Sequence, residues 1–578
     1  MVLLHILLFA ACASASACYE ASIAHPLPDL DPDDALLQRA FAAIDADLEL
    51  AIAAPEFAAS SFSIAITSSK ASLWSKHHTA RERNASRPDI PQVNGDALYR
   101  IASCTKTFTV LAILYQHEAG NLRLDDSVDT YIEELRGKHE GTVPWKDVTL
   151  RSLASQLSGI PREFAQGDII NFDQNGMGHL PNPRDVGLPP SSREGLLDCD
   201  EYSPNYEKPC KARDLIHALT SKRPLFAPNM KSTYSNLAFD LLGLVLSRVT
   251  NKTYEAAIED AIFKPLNMTK TTLFLPPDSA GVIPLYPQFW DFDLGIQKPT
   301  GAIYASTDDL SKYFRYILTH YNAIATGVNW MHPVSPSEGI NSFYGMPWEI
   351  LHTDRVLENS RRTVRFVTKG GGLPGYFTIL NLVPDYGLAY SVLTATGSTA
   401  LLDKIQDIVA ATLVRAAEEI ATRQLHERYA GTYSSTTDAL NSTITLVADH
   451  RGLVVERLIS NGTDTLNQIF QTSSKPAYVQ LVPTLLYQDE KKQQGENWRI
   501  VHSLERTPAT GSIWDDFCVA NIDGDVYTGQ PLNELVFWDA GKDKQFAQVE
   551  LNAFRVNLSR TEGHVKEKWH SVQEILEL

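Results

Sequence analysis

The apolar residues of this chain change their spacing once along its length, and that change divides what the chain can fold into. Up to about Gln424, stretches of helical period are interleaved with stretches that alternate residue by residue. Asp33 to Ala53, the run from Ser103 to about Ala119, Leu237 to Val249 and Leu401 to Ile420 read as helices. Ser61 to Ser69 with Ala71 to Lys76 as hairpin partner, Val364 to Thr368, Tyr376 to Val383 and Leu388 to Leu393 read as strands. The turn Pro384-Asp385-Tyr386-Gly387 joins the last two into an antiparallel hairpin. Past residue 425 the helical signal almost vanishes. Ile444–Val447, Leu453–Val455, Tyr478–Val482, Trp498–Leu504 and Glu534–Trp538 then follow as short strands between turns. The pattern predicts a mixed α/β (α+β) domain over residues 18–424 and a small antiparallel β-domain over 425–578.

Between Glu163 and about Asn229 regular patterning dissolves into Gly, Pro, Asp and Asn. A stretch that long is usually a functional excursion or a disordered insert. Cys199 and Cys210 bracket part of it and would close a short ring if bonded, which favours an ordered excursion. Cys18 with Cys518 would tie the chain ends together, but spacing leaves that pairing open. Cys104 reads as a small packed thiol.

Val2 to Ala17 is an apolar stretch ending Ala15-Ser16-Ala17, which reads as a secretory leader over residues 1–17, although its start carries no Lys or Arg. It is far short of the ~20 apolar residues a membrane span needs, and no later segment is long and apolar enough either. The expected mature protein is secreted and soluble, with sequons for N-glycosylation at Asn84, Asn251, Asn267, Asn441, Asn461 and Asn557. A formal net charge of −18 argues against sequence-independent nucleic-acid binding, which needs a basic footprint. His77, His78, His117 and His352 match no metal spacing, so no metal and no cofactor are expected. No Gly-x-Ser-x-Gly elbow occurs.

What remains is chemistry by side chain alone. Ser103-Cys104-Thr105-Lys106 is the chain's single Ser-x-x-Lys, at the head of a helix. Residues three apart there share a face, and an amine beside a hydroxyl can take its proton when the amine is neutral. Tyr234-Ser235-Asn236, the single Tyr-x-Asn, precedes another helix, and Lys369-Gly370-Gly371-Gly372 ends a strand where bare backbone can approach a substrate.

In this order the three motifs resemble those of serine β-lactamases and penicillin-binding proteins, particularly the class C branch, which includes esterases, peptidases and acyltransferases. Leu153 to Pro161, Ile262 to Thr272, Ala302 to Phe314 and Gly371 to Tyr376 are similar to further family segments, with Gln156 where histidine is common. The likeness covers residues 35 to 420, and the tail resembles the C-terminal β-domain of fungal secreted β-lactamase-like proteins. It implies an antiparallel sheet flanked by helices, a helical subdomain and a small-molecule substrate. Ser103 would be acylated, Lys106 would have a depressed pKa, and Tyr234 would shuttle protons. Asn236 would orient Lys106 and the substrate amide, and Lys369 would bind a substrate carboxylate. The backbone N–H groups of Ser103 and Gly372 would form the oxyanion hole. Lys-Gly-Gly lacks the hydroxyl of the Lys-Thr-Gly form, so ester or amide cleavage is expected more than β-lactam cleavage. An acyltransferase of the same fold and a non-catalytic binding protein are the alternatives.

Overall fold

The computed structural model describes residues 18–19, 23–137, 141–164, 168–171, 181–197, 199, 208–285, 289–321, 330–436, 440–470, 477–505, 517–518, 522, 525–541 and 544–561. The leader expected over 1–17 lies outside them. The chain divides into two compact units, one of residues 41–353 and 365–410, the other of 1–40, 354–364 and 411–578.

The first unit is built on an eight-stranded sheet. Its strands are β1 (Ser61–Ser68), β2 (Ser72–His78), β3 (Ser335–Pro336), β4 (Ser342–Tyr344), β5 (Glu349–Thr353), β6 (Val364–Leu373), β7 (Tyr376–Val383) and β8 (Leu388–Ala395), in the order β2-β1-β8-β7-β6-β5-β4-β3. β1 with β2 and β6 to β8 with one another pair antiparallel, and β8 closes onto β1 the same way. β1 and β8 are buried along their whole lengths because both faces are covered. The hairpin turn follows Pro384–Tyr386, where Gly387 holds φ 61°, the left-handed conformation glycine adopts without steric cost.

The helices of this unit include α1 (Ala35–Ile52, shared with the second unit), α2 (Thr105–Glu118), α3 (Leu237–Thr250) and α4 (Thr307–Tyr321); α5 (Ala400–Arg428) also enters the second unit. The sequence predicts one buried face on α2, yet every residue from Thr105 to Leu114 is buried. Its threonines can lie inside because each hydroxyl is satisfied there. Thr107 donates to the Cys104 carbonyl (2.9 Å) and Thr109 to that of Pro299 (2.7 Å), while Thr105 accepts from the Ile303 N–H (3.1 Å). The stretch read as irregular contains a helix at Ala212–Leu219 and the Cys199–Cys210 disulfide. β6 extends five residues past the predicted Thr368, because its glycines keep pairing with β7.

In the second unit α5 runs unbroken through residue 425, so the change of period falls in the last turn of this helix. After it come β9 (Gly431–Ser434), β10 (Thr443–Asp449), β11 (Gly452–Ser460), β12 (Ala477–Asp489), β13 (Gln494–Leu504), β14 (Glu534–Ala540), β15 (Phe546–Leu551) and β16 (Val556–Arg560). Each pairs antiparallel with its neighbour, β9 pairs with β16, and β13 pairs with β14. The ring therefore closes as a barrel, which removes the exposed sheet edge. Its core is solid. Tyr429, just past the end of α5, packs its ring against Trp498, Phe537 and Phe546 with centroids 4.8–5.0 Å apart. Cys18–Tyr19 adds to β13 in parallel, and Cys518 is disulfide-bonded; the side chain of Cys18 lies outside the described residues.

Candidate active site

Ser103 lies in a single 3-10 turn, Ala102–Cys104, that runs straight into α2. Ala102 holds φ 47°, a left-handed conformation costing a non-glycine residue about 1–3 kcal/mol. The turn is anchored to β6, where the Cys104 thiol donates to the Lys369 carbonyl at 3.0 Å. Burial pushes that thiol up to about 12, so Cys104 stays a protonated, packed thiol.

Lys106 is fully buried one turn on, as the i, i+3 spacing requires. Its Nζ donates to Ser103 Oγ at 2.9 Å and to the Thr300 carbonyl at 2.9 Å. Burial lowers its pKa, Tyr234 opposes, and the second cation Lys369 adds to the lowering.

Tyr234 stands between the two amines. Lys106 Nζ is 5.3 Å and Lys369 Nζ 5.2 Å from its ring centroid, and the guanidinium of Arg162 lies 4.8 Å from it. Burial is the largest single influence on the phenol and disfavours its ionisation. The two lysine charges, with hydrogen bonding to Ser103, outweigh it and lower the pKa. The backbone around Tyr234 is clamped by the segment before it. Thr233 N–H donates to the Gln156 carbonyl (2.8 Å), Ser235 N–H to Gln156 Oε1 (2.7 Å) and Asn236 N–H to the Arg162 carbonyl (2.9 Å). Gln156, at φ 62°, thus positions the Tyr-Ser-Asn motif with both its backbone and its side chain.

Lys369 is buried on β6 and is not a free cation. Its Nζ pairs with Glu349 Oε1 at 2.6 Å and donates to the Gly370 carbonyl at 2.7 Å, while Glu349 Oε2 accepts the Gly370 N–H at 2.9 Å. Burial disfavours the ammonium, but Glu349 and Tyr234 reverse the balance and raise its pKa. The two lysines are therefore driven apart, Lys106 toward the amine and Lys369 toward the ammonium, a separation that suits acid–base work.

Ser103, Lys106, Tyr234 and Lys369 are brought together as the motif order implies. Gly372 lies two residues from Gly370 on β6, opposite Phe377. Asn236, at the start of α3, turns its amide onto Glu163, with Nδ2 donating to Oε1 at 2.5 Å. Under Lys106 the Thr300 hydroxyl donates to Asp240 Oδ1 at 2.6 Å, and burial raises the pKa of Asp240 far above the carboxylate range. Glu349, Glu163, Thr300, Asp240 and Arg162 carry no signal in sequence, because none of them belongs to the three motifs and the fold alone brings them to the site. Among the described residues no group of three or more His, Cys, Asp or Glu could hold a metal ion, and no helix is long and apolar enough to cross a membrane. Of the sequon asparagines, Asn251, Asn267, Asn441, Asn461 and Asn557 are exposed and Asn84 is half-buried.

A family model described as Beta-lactamase matches residues 51–414, and one described as Beta-lactamase-like-like, C-terminal domain matches residues 421–562. Probable hydrolase M10 of Phoma sp. is 30% identical over 541 residues, covering 91% of this chain and 88% of that protein. Beta-lactamase-like protein of Arthroderma benhamiae is 28% identical over 527 residues, covering 83% and 84%. A solved class C beta-lactamase superposes with a TM-score of 0.47 at 16% identity, over 67% of this chain and 98% of that one. With the first model spanning more than half of its length and the Phoma relative nearly all of it, this chain belongs to the beta-lactamase family and is a hydrolase of that family, with a C-terminal β-domain behind the family fold.

Proposed function

We propose that the protein is a secreted serine hydrolase that cleaves an ester or amide through an acyl-enzyme on Ser103. The observation that carries this reading is the 2.9 Å hydrogen bond between Ser103 Oγ and a fully buried lysine, beside a tyrosine flanked by two amines. Ser103 Oγ attacks the carbonyl carbon while its proton passes to the Tyr234 phenolate, which Lys369 and Lys106 favour. The oxyanion is held by the N–H groups of Ser103 and Gly372. Collapse breaks the bond to the leaving alcohol or amine, which takes the proton back from Tyr234. Water then attacks the acyl-serine by the same route in reverse.

Esters and unstrained amides rank above β-lactams as substrates. The third motif has no hydroxyl, and Glu349 already occupies Lys369, so neither is available to grip a β-lactam carboxylate as the sequence implies. Export is supported by the Cys199–Cys210 and Cys518 disulfides and by the exposed sequons. The test is turnover of p-nitrophenyl esters beside a chromogenic cephalosporin, in the wild type and in Ser103→Ala. Ester turnover that disappears in Ser103→Ala supports the reading; equal turnover in both proteins sinks it.

A further inference from the structure

Three cations surround the Tyr234 ring, and they differ in what they can still bind. Lys106 is fully buried, and its Nζ donates to Ser103 Oγ and to the Thr300 carbonyl. Lys369 is equally buried and is held by Glu349 and the Gly370 carbonyl. Arg162 is different: its side chain is 62% exposed, with the guanidinium carbon 4.8 Å from the ring centroid. Its Nε lies 3.3 Å from Glu163 Oε1, and among the described residues its two terminal nitrogens meet no protein acceptor. One edge of the fork is therefore anchored and its plane packs over an aromatic ring, while the other edge presents unused N–H donors to solvent. Such an edge matches a carboxylate with two parallel hydrogen bonds, and because its orientation is already set, little side-chain freedom is lost on binding.

We propose that Arg162 is an anion-binding residue of this site, and that the hydrolase accepts esters or amides carrying a carboxylate within reach of the guanidinium's free edge. The proposal rests on the serine-hydrolase reading above and names its substrate class. Position supports it. Arg162 packs on the same ring as Lys106, whose Nζ is 2.9 Å from Ser103 Oγ, so an anion held there lies beside the reacting groups. The backbone fixes the place of the arginine, because its carbonyl receives the N–H groups of Asn236 (2.9 Å) and Leu237 (3.0 Å) at the start of α3. The motif order assigns a substrate carboxylate to Lys369, but Glu349 already compensates that charge. The accessible positive charge has moved to a residue outside all three motifs.

The test measures kcat/KM for two matched pairs of esters. In the first the acyl chain ends in a carboxylate or its methyl ester: mono-p-nitrophenyl suberate and p-nitrophenyl methyl suberate. In the second the leaving phenol carries it: 3-carboxy-4-nitrophenyl and 3-methoxycarbonyl-4-nitrophenyl butyrate. A solvent-exposed ion pair of good geometry is worth about fivefold. In at least one pair, Arg162→Gln should lose about fivefold more on the carboxylate ester than on its neutral partner. The loss should fall in KM and shrink as salt is raised. Arg162→Lys, which keeps the charge without the planar fork, should lose less. Lys231→Gln removes an equal charge three residues before Tyr234, from a side chain paired with Glu338 at 2.9 Å, and should change neither ratio. Equal slowing of both members of each pair by Arg162→Gln overturns the proposal, because a merely structural arginine gives that result. A shift of the same size in Lys231→Gln overturns it too, since net charge would then explain the effect. Failure of the hydrolase reading looks different: no ester is turned over and Ser103 stays unlabelled by a fluorophosphonate, and the proposal falls with it.

Discussion

Adding one methyl group at Gly371 tests whether the site depends on β6 lying against the turn that carries Ser103. A Cβ built there would be 2.3 Å from the Ile101 carbonyl oxygen and 3.2 Å from both Ser103 N and Cys104 Sγ. Non-bonded heavy atoms settle at about 3.5–4.0 Å, so strand and turn must separate by roughly 1 Å. That separation moves Gly372 away from Ser103 and opens the pair of N–H donors proposed for the oxyanion. A misplacement of about 1 Å costs on the order of 100-fold in rate, and the overpacking costs about 1–3 kcal/mol of stability. The neighbouring Gly370→Ala is the control, because its Cβ would meet only Glu349 Oε2 at an ordinary 3.4 Å. Ester kcat/KM and thermal melts are measured on both variants. Gly371→Ala should lose about 100-fold while its melt stays cooperative, and Gly370→Ala should lose far less. The geometry is wrong if Gly371→Ala stays within about threefold of wild type, or if the two alanines are equally damaging.

Two further outcomes concern charge. If the Tyr234 phenolate is the base, kcat/KM rises with pH along a limb below the ordinary tyrosine value of about 10. Lys369→Met removes a cation 5.2 Å from the ring and should move that limb up by about 1–2 pH units; a limb that stays in place excludes Tyr234 as the titrating group. In the second unit, burial of Glu418 opposes ionisation, but the hydrogen bond from His25 and the guanidinium of Arg362 win and hold its carboxyl well below the usual range. A depressed folded pKa stabilises above the unfolded value of about 4.3 and is lost as pH falls below it. Glu418→Gln should therefore cost about 3 kcal/mol at neutral pH in a denaturant titration, because the buried Arg362 guanidinium loses its carboxylate partner, and the difference from wild type should shrink on acidification. A difference that is constant with pH contradicts this.

The parts of this molecule legible in sequence are those whose cause is local. Tyr376–Val383 was readable to the residue, because its apolar run and the following Pro-Asp-Tyr-Gly turn are both written within twelve consecutive positions. Ser103 and Lys106 were readable because helix geometry fixes neighbours three apart. What the sequence hid is non-local. The burial of α2 all round depends on acceptors and donors from Pro299 and Ile303, nearly two hundred residues away, which the helix's own period does not announce. Closure of the barrel depends on β13 meeting β14 and β9 meeting β16, which no single strand announces. The same holds in the site. Glu349 reaches Lys369 from the neighbouring strand, and Glu163 reaches Asn236 from a stretch read only as irregular. The motifs named the candidate residues, and the partners that set their charge and orientation came from the fold.

The central claim is that Ser103 is the nucleophile, and intact mass spectrometry tests it most directly. The protein is incubated with a fluorophosphonate, and the product is weighed whole and then mapped by peptide. The account predicts one adduct per chain, located on Ser103, formed slowly in Lys106→Met and absent in Ser103→Ala. An adduct on any other residue, or the same adduct in Ser103→Ala, would contradict it.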